Sequence, residues 1–143
     1  MATRPSLTLK RRIKAPPQKV YEAWTRPEKM IQWWGVMGGP RPPTAETDLR
    51  VGGRFRVQSW MPSGEYNSVS GTYSEIVPNE KLVFSWAWQS TPERVSLVTI
   101  ELRPTAQGTE QHFRHDRFFD QQARDNHERG WTATFAKLDE FFA

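Results

Sequence analysis

One feature restricts the fold of this chain more than any other: a long run of short alternating segments is followed by a single amphipathic helix. Between residues 46 and 117, apolar and polar residues alternate and predict six strands, at 46–49, 53–61, 66–77, 81–89, 94–103 and 109–117. Short turn signals such as Gly52-Gly53 and Pro78-Asn79-Glu80 separate them. Consecutive strands joined by short turns pair antiparallel. We therefore expect an antiparallel meander.

The helix that follows the meander is predicted from Gln121 to Phe142. Asp120 is a suitable N-cap for this helix. On one face the residues recur at a spacing of three or four: His127, Trp131, Phe135, Leu138 and Phe142. A helix of about 22 residues is about 33 Å long, which is enough to cross a whole sheet. This helix is therefore expected to cover the inner face of the sheet.

The first part of the chain predicts one further strand and two short helices. Alternation from Leu7 to Ile13 indicates a half-buried strand with Arg11 in the inward phase, where it needs a carboxylate partner or an anionic ligand group. Glu75 and Glu101 are candidate partners. After Pro16-Pro17 the spacing is helical, and Pro27 is expected to open a second helix that extends to Trp34.

A Gly- and Pro-rich stretch follows these helices at 35–43, and it predicts a loop that borders an opening. The adjacent Trp33 and Trp34 lie about 100° apart on a helix, so at most one of them is expected to enter the core.

The order of elements predicts an α+β fold in one domain, 1–143. A curved antiparallel sheet of six to seven strands would wrap around the C-terminal helix, with two short helices after strand one. Such a sheet cannot fill its interior completely, so a cavity between sheet and helix is expected. Aromatic residues make up 13% of the chain, and rings of this size allow a few side chains to line a large interior.

Composition excludes several classes of function. The chain has no cysteine, which rules out disulfides and thiolate chemistry. The net charge of +4 comes from scattered basic residues, so nucleic-acid binding is not expected. There is neither a leader-like apolar segment nor an apolar run that approaches about 18 residues, so we expect a cytoplasmic protein without a membrane span.

Several short motifs occur in one order over almost the whole chain. They are Ala15-Pro16 before Val20-Tyr21, Trp33-Trp34-Gly35, Asp48 to Gly53, Gly71 to Ile76, Leu82 to Trp86, Gly108-Thr109, His115 and Gly130-Trp131. Together they resemble the family of homologues of the Hsp90 ATPase activator's C-terminal domain, within the START-like superfamily. The resemblance implies a helix-grip fold, and a pocket that in this superfamily takes lipids, polyketides or other apolar molecules.

The walls of the expected pocket follow from strand phase. Alternation places Leu82, Phe84, Trp86 and Trp88 on one face, where they either line a pocket or fill the core. The predicted binding residues are the apolar Trp34, Phe55, Val57, Phe84, Trp86, Trp88, Phe113, Trp131 and Phe135, with Tyr73, Gln111 and His115 as polar orienting groups. Gln111 stands where the family pattern has an apolar residue. His115 is either a pocket residue or a satisfied core histidine.

No catalytic or metal site is assigned. His112 and His115 lie three apart on a strand and face opposite sides, so they cannot bind one ion together. There is no Gly-x-Ser-x-Gly motif and no phosphate-binding loop, and we expect no cofactor.

The predicted function is the binding of a small hydrophobic or aromatic ligand. One alternative is a cyclase or dehydratase in which His115, with Tyr73 or Glu75, transfers protons on a polyketide-like substrate. Another alternative is an Hsp90 co-chaperone-like partner domain. A homodimer is left open.

Overall fold

Seven strands and three helices follow one another within residues 4–34 and 39–143, the parts of the chain that the computed structural model describes. The elements are β1 Leu7–Ile13, α1 Pro17–Thr25, α2 Pro27–Met30, β2 Thr44–Thr47, β3 Arg54–Trp60, β4 Tyr66–Val77, β5 Lys81–Trp88, β6 Ser96–Thr105, β7 Gly108–Asp116 and α3 Gln121–Phe141. None of the helices described is long and apolar enough to cross a membrane.

The strands form one antiparallel sheet in the order β1-β7-β6-β5-β4-β3-β2. Six of them make the predicted meander, and each starts and ends within two residues of its predicted position. The first strand pairs with the last, with Leu7 opposite His115 and Ile13 opposite Thr109. The short β2 forms the other edge. The sheet is therefore open, and its predicted antiparallel arrangement is confirmed.

Alternation along the strands decides which side chains face the core. In β3 Phe55 and Val57 are buried while Arg54 and Arg56 are exposed, and in β5 Leu82, Phe84 and Trp86 are buried. The same alternation in β7 buries His115 and leaves His112 half-exposed. The Nε2 of His112 lies 2.6 Å from Oε1 of Glu110. The prediction that the two histidines face opposite sides is thus confirmed.

The long helix begins where the sequence predicts. Asp120 has an extended backbone, and its side chain accepts a hydrogen bond from the backbone N–H of Ala123 at 2.8 Å. This bond satisfies one of the amides that the first turn of a helix leaves without a partner. Trp131, Phe135 and Leu138 form the buried stripe of α3.

The second short helix is shorter than predicted. Both α1 and α2 start with a proline at their first position, where the missing N–H costs no hydrogen bond. However, α2 ends at Met30 and the chain continues in turns to Trp34. The expectation that only one of Trp33 and Trp34 enters the core is wrong, because both are buried: the first packs against Trp24, and the second packs against Phe55 and Trp86. Of the predicted loop 35–43, residues 35–38 lie outside the described residues.

The core fills the space between the concave sheet face and helices α1 and α3. Trp24 of α1 lies at its centre, with its ring 4.8 Å from Trp33, 5.9 Å from Trp131 and 6.3 Å from Phe113. Its indole N–H donates to Oε1 of Gln111 at 2.8 Å. Buried indoles generally need such a partner. A tryptophan from α1 therefore satisfies the amide oxygen of Gln111 on β7, whereas the buried Nε2 of Gln111 has no hydrogen-bond partner among the described residues.

An irregularity in β4 shapes the sheet near Gly71. A side chain at this position would place its Cβ 1.7 Å from the carbonyl oxygen of Ser85, so the backbone of β5 approaches too closely for any residue but glycine. The backbone amide of Thr72 donates to Oγ of Ser85 at 2.8 Å. A register shift follows between Tyr73 and Glu75. Val69, Gly71 and Tyr73 keep the predicted inward phase and are buried.

Arg11 joins the first strand to the last helix. Its guanidinium donates to Oδ2 of Asp139 through Nη2 at 2.7 Å and through Nε at 3.0 Å. The suggested partners are not used: Glu75 pairs with Lys81 and Glu101 with Arg103. Asp139 could not be singled out beforehand because the pairing spans 128 residues and depends on how α3 crosses β1.

Candidate functional site

A cavity of about 750 Å³ lies between α3 and strands β3, β4 and β5. The sheet contributes Val57, Ser59, Asn67, Val69, Trp86 and Trp88, the helix contributes Asn126, His127, Gly130, Trp131, Ala133, Thr134 and Lys137, and Trp34 completes the wall. The rings of Trp34 and Trp86 are stacked at 6.0 Å, and that of Trp131 is 5.0 Å from Trp86. Much of the wall is therefore indole surface.

A row of small and polar residues on α3 keeps this space open. Asn126, Gly130, Ala133 and Lys137 recur every three or four residues, beside the buried stripe that contains Trp131. A Cβ built on Gly130 would meet no atom within 4 Å. Neither backbone geometry nor packing within the described structure requires a glycine here. Its effect is to widen the cavity.

One end of the cavity is closed by hydrogen bonds to a histidine. Trp88 donates its indole N–H to Nε2 of His127 at 2.9 Å, and Trp86 approaches the same nitrogen at 3.3 Å. The other ring nitrogen, Nδ1, lies 2.7 Å from the carbonyl oxygen of Ala123 and therefore carries the proton. Burial lowers the pKa of His127. The geometry and the burial both favour the neutral ring.

A second, smaller cavity of about 360 Å³ lies beyond this histidine. Trp86, Trp88, Asn126 and His127 border both cavities. On the far side, Phe118, Phe119 and Arg94 contribute to the second wall, and the Arg94 guanidinium lies 3.9 Å from the centre of the Phe119 ring. The indole–imidazole contacts therefore form a partition between the two spaces.

His115 belongs to a buried network behind the cavity wall. Its Nδ1 accepts the indole N–H of Trp131 at 3.1 Å, so its Nε2 carries the proton and donates to Oγ of Ser96 at 2.6 Å. The Ser96 hydroxyl in turn donates to the carbonyl oxygen of Trp86 at 3.3 Å. Burial, and the nearby His127, hold the pKa of His115 well below its ordinary value. Both ring nitrogens have protein partners, as in a structural histidine.

The predicted binding residues divide into two groups. Trp34, Val57, Trp86, Trp88 and Trp131 line the cavity. The other seven, Phe55, Tyr73, Phe84, Gln111, Phe113, His115 and Phe135, are buried in the layer behind that wall. Strand phase identifies which side chains point to the inner face of the sheet. It does not show which of them border the cavity and which are covered by other core residues.

Sequence reasoning missed the residues that face the cavity without being large and apolar. These are Ser59, Asn67, Val69, Asn126, His127, Gly130, Ala133, Thr134 and Lys137. A usable signal was present on α3, where the row of small residues runs parallel to the apolar stripe at helical spacing. On β3 and β4 the polar Ser59 and Asn67 gave no such signal, because a polar residue near a strand end is usually solvated.

Lys137 is the one ionised side chain among the described residues that line the large cavity, and no carboxylate lines it there. Burial lowers the pKa of Lys137. The environment of this cavity wall therefore penalises the charged form of the lysine.

Comparisons with known proteins agree with this architecture. The sequence matches the model of a family described as Activator of Hsp90 ATPase homolog 1-like protein over residues 14–143. A solved structure from Chromobacterium violaceum has a TM-score of 0.83 at 24% identity and covers 96% of each chain. One from Rhizobium leguminosarum has a TM-score of 0.82 at 26% identity and covers 96% of this chain and 93% of its own. One from Nitrosomonas europaea has a TM-score of 0.76 at 26% identity and covers 95% of this chain and 92% of its own. No curated protein matches the sequence. The predicted helix-grip fold is confirmed.

Proposed function

The chain belongs to the Activator of Hsp90 ATPase homolog 1-like family, and we propose that it binds a small hydrophobic or aromatic molecule between α3 and the sheet. The observation that carries the proposal is the cavity of about 750 Å³ with Trp34, Trp86, Trp88 and Trp131 in its wall. Ligand sites of proteins commonly measure about 300–1,000 Å³, and they combine apolar walls with a few polar groups.

The physical driving force would be the removal of indole surface from water. Apolar surface contributes roughly 25 cal/mol per Å² when a ligand covers it. Flat aromatic walls favour a ligand with rings of its own, since offset and edge-to-face ring contacts add to the area term. Ser59, Asn67, Asn126 and Thr134 are polar groups in the same wall that can orient such a ligand.

The enzymatic alternative receives less support from the geometry. It needs His115 as a proton carrier with Tyr73 or Glu75. His115 does not line the cavity, and both of its nitrogens are bonded to protein groups. Tyr73 is buried behind the wall, and burial raises the pKa of its hydroxyl further. Glu75 pairs with Lys81. No specific observation favours the co-chaperone alternative.

A cavity-filling variant with a matched control tests the proposal. Gly130→Leu adds a side chain where an added Cβ has open space, whereas Thr132→Leu adds a leucine to the same helix outside the cavity. We would titrate wild type and both variants with the neutral fluorophore N-phenyl-1-naphthylamine, after checking the fold by circular dichroism. Native mass spectrometry of the freshly purified protein would detect any small molecule that it retains.

Gly130→Leu should weaken binding of the fluorophore by at least about tenfold, which corresponds to about 1.4 kcal/mol. Thr132→Leu should leave binding within about twofold of wild type, since it does not reach the lining. Absence of fluorophore binding to wild type, together with an empty protein in the mass spectrum, would contradict the proposal. Equal binding by wild type and Gly130→Leu would place the fluorophore elsewhere and would also contradict it.

A further inference from the structure

We infer that the ligand of the cavity is a neutral aromatic compound with a carbonyl group, and that its carbonyl oxygen accepts hydrogen bonds from Ser59 and Asn67. This inference rests on the proposed binding function and adds the chemical class of the ligand. It follows from the position of the two residues in the sheet and from the hydrogen-bonding capacity of their side chains.

Ser59 and Asn67 are neighbours across two strands. Ser59 of β3 stands directly opposite Asn67 of β4 in the antiparallel pair. The side chains of such a pair lie on one face of the sheet, with their Cβ atoms about 4.5–5.5 Å apart. Both residues line the large cavity. One ligand atom can therefore contact both side chains at the same time.

The polar atoms of this pair are available to a ligand. Neither side chain has a hydrogen-bond partner within residues 4–34 and 39–143. Ser59 is only 6% exposed, so its hydroxyl has little access to bulk water. A buried hydroxyl without a partner costs free energy, and most such groups in proteins are satisfied. A ligand in the cavity would supply the missing partner.

An apolar row of residues lies next to the polar pair. Val57 and Val69 are opposite each other, and Trp88 pairs with Val69 from the next strand. All three line the cavity. Ser59 and Asn67 lie two positions further along their strands, which is a distance of about 7 Å. An aromatic ring that covers the apolar row therefore places a substituent over the polar pair.

The chemistry of the pair favours a neutral oxygen acceptor. The Ser59 hydroxyl and the Asn67 amide can each donate a hydrogen bond. A carbonyl oxygen has two lone pairs and can receive both bonds, and it brings no hydrogen that needs an acceptor of its own. Both protein groups are uncharged, so they do not offset the cost of removing a charged group from water. A ketone, aldehyde or amide on an aromatic body fits this end of the cavity.

Ordered water is the alternative partner for these groups. A water molecule held between Ser59 and Asn67 would satisfy both side chains without a ligand. A ligand that left this water in place would gain nothing from a carbonyl group at this position. Two probes of closely similar shape, only one of which has a carbonyl oxygen, separate the two possibilities.

The test compares the ketone 2-acetylnaphthalene with the alkene 2-isopropenylnaphthalene, which has a CH2 group in place of the carbonyl oxygen. Dissociation constants would be measured by displacement of N-phenyl-1-naphthylamine from wild type, Ser59→Ala, Asn67→Leu and Ser68→Ala, with the fold checked by circular dichroism. Ser68 is the matched control, because it is 7% exposed and adjacent to Asn67 but does not line the cavity. The readout is the ratio of the two dissociation constants, in which effects of a substitution on cavity shape largely cancel.

Ser59→Ala should weaken binding of the ketone by about fivefold, as expected for the loss of one neutral hydrogen bond, and should change binding of the alkene by less than about twofold. Asn67→Leu should shift the ratio in the same direction by at least about threefold. Ser68→Ala should keep the ratio of wild type. This pattern would support a carbonyl oxygen between Ser59 and Asn67.

Three outcomes would overturn the inference while leaving the binding function intact. In the first, the ketone fails to displace N-phenyl-1-naphthylamine from wild type. In the second, either Ser59→Ala or Asn67→Leu leaves the ratio unchanged, which indicates that the carbonyl oxygen does not contact the pair. In the third, Ser68→Ala shifts the ratio as much as Ser59→Ala does. If N-phenyl-1-naphthylamine itself does not bind wild type and the purified protein is empty, the proposed function fails and the inference fails with it.

Discussion

Trp131 donates its indole N–H to Nδ1 of His115 over 3.1 Å, so the final helix is hydrogen-bonded to strand β7 inside the core. The same imidazole is hydrogen-bonded to the Ser96 hydroxyl, which in turn donates to the backbone carbonyl oxygen of Trp86. A residue of the cavity wall on α3 is thereby fixed relative to another on β5. The network gives the buried His115 and Ser96 side chains hydrogen-bond partners within the core.

Replacing His115 should destabilise the protein without abolishing binding. His115→Phe leaves the Trp131 N–H without its acceptor and removes the partner of Ser96, so we expect the free energy of unfolding to fall by about 2–3 kcal/mol. Urea denaturation followed by circular dichroism measures this change. His112→Phe on the outer face of the same strand is the control, with an expected change below about 1 kcal/mol. Equal effects of the two variants would show that the buried network contributes nothing particular.

The stability of the protein should depend on pH between about 6.5 and 4.5. Burial lowers the pKa of both His115 and His127 in the folded state, so the unfolded chain binds protons at a higher pH than the folded chain does. Stability is therefore complete above the unfolded pKa of about 6.5 and decreases as the pH falls below it. The free energy of unfolding should change by at most about 1.4 kcal/mol per pH unit for each histidine.

Carboxylates should not account for that slope. The lowered pKa values of Glu22 and Glu110 make stability fall only as the pH drops below the ordinary glutamate value of 4.5. Denaturant titrations at pH 7.5, 6.5, 5.5 and 4.5 measure the dependence on wild type and on His115→Phe. The variant should lose about half of the slope above pH 4.5. A slope that is unchanged in the variant would show that the buried histidines are not its source.

Two glycines should respond to alanine in opposite directions. Gly130→Ala places a methyl group in open space within a helix, so we expect the free energy of unfolding to rise by about 0.5–1 kcal/mol. Gly71→Ala forces its Cβ to within 1.7 Å of the Ser85 carbonyl oxygen, and it should cost at least about 2 kcal/mol. Urea denaturation of both variants tests the pair. A destabilised Gly130→Ala would mean that this glycine serves the fold and not the cavity.

The extent to which the sequence predicts this structure follows from the range of each interaction. Local signals are sufficient for the strands and for α3, because alternation, turn residues and the Asp120 cap act over a few residues. The end of α2 was misplaced since apolar spacing continues to Trp34 while the backbone leaves the helix at Met30. Partners such as Asp139 for Arg11 depend on how distant elements cross, which a single sequence does not specify.

The cavity was anticipated as a feature of the fold, but only part of its wall was predicted. Strand phase places Phe113 and Trp86 on the same face of the sheet, yet only Trp86 borders the cavity. The difference arises because Trp24 and Phe135 pack around the Phe113 ring and fill that part of the interior. Such filling depends on where α1 and α3 lie, and it is not encoded in the strand itself.

The last prediction concerns binding at acidic pH. Nε2 of His127 accepts hydrogen bonds from Trp88 and Trp86, and protonation would replace its lone pair with an N–H that repels both donors. The partition at this end of the cavity should then loosen. Because the pKa of His127 is lowered, protonation of this ring and loosening of the partition should occur below pH 6.5. The rings near this imidazole include Phe118, at 5.0 Å, His115, at 5.2 Å, and the two indoles.

A neutral probe measures this effect without any contribution from ligand charge. Affinity for N-phenyl-1-naphthylamine should be constant above about pH 7 and should fall by at least about threefold at pH 5.5, with the fold checked by circular dichroism at each pH. His127→Gln supplies an acceptor oxygen for the indoles but cannot gain a proton in this range, so its affinity should stay flat. A parallel fall in wild type and variant would assign the pH dependence to another group. It would also leave the Trp88–His127 contact as a purely structural one.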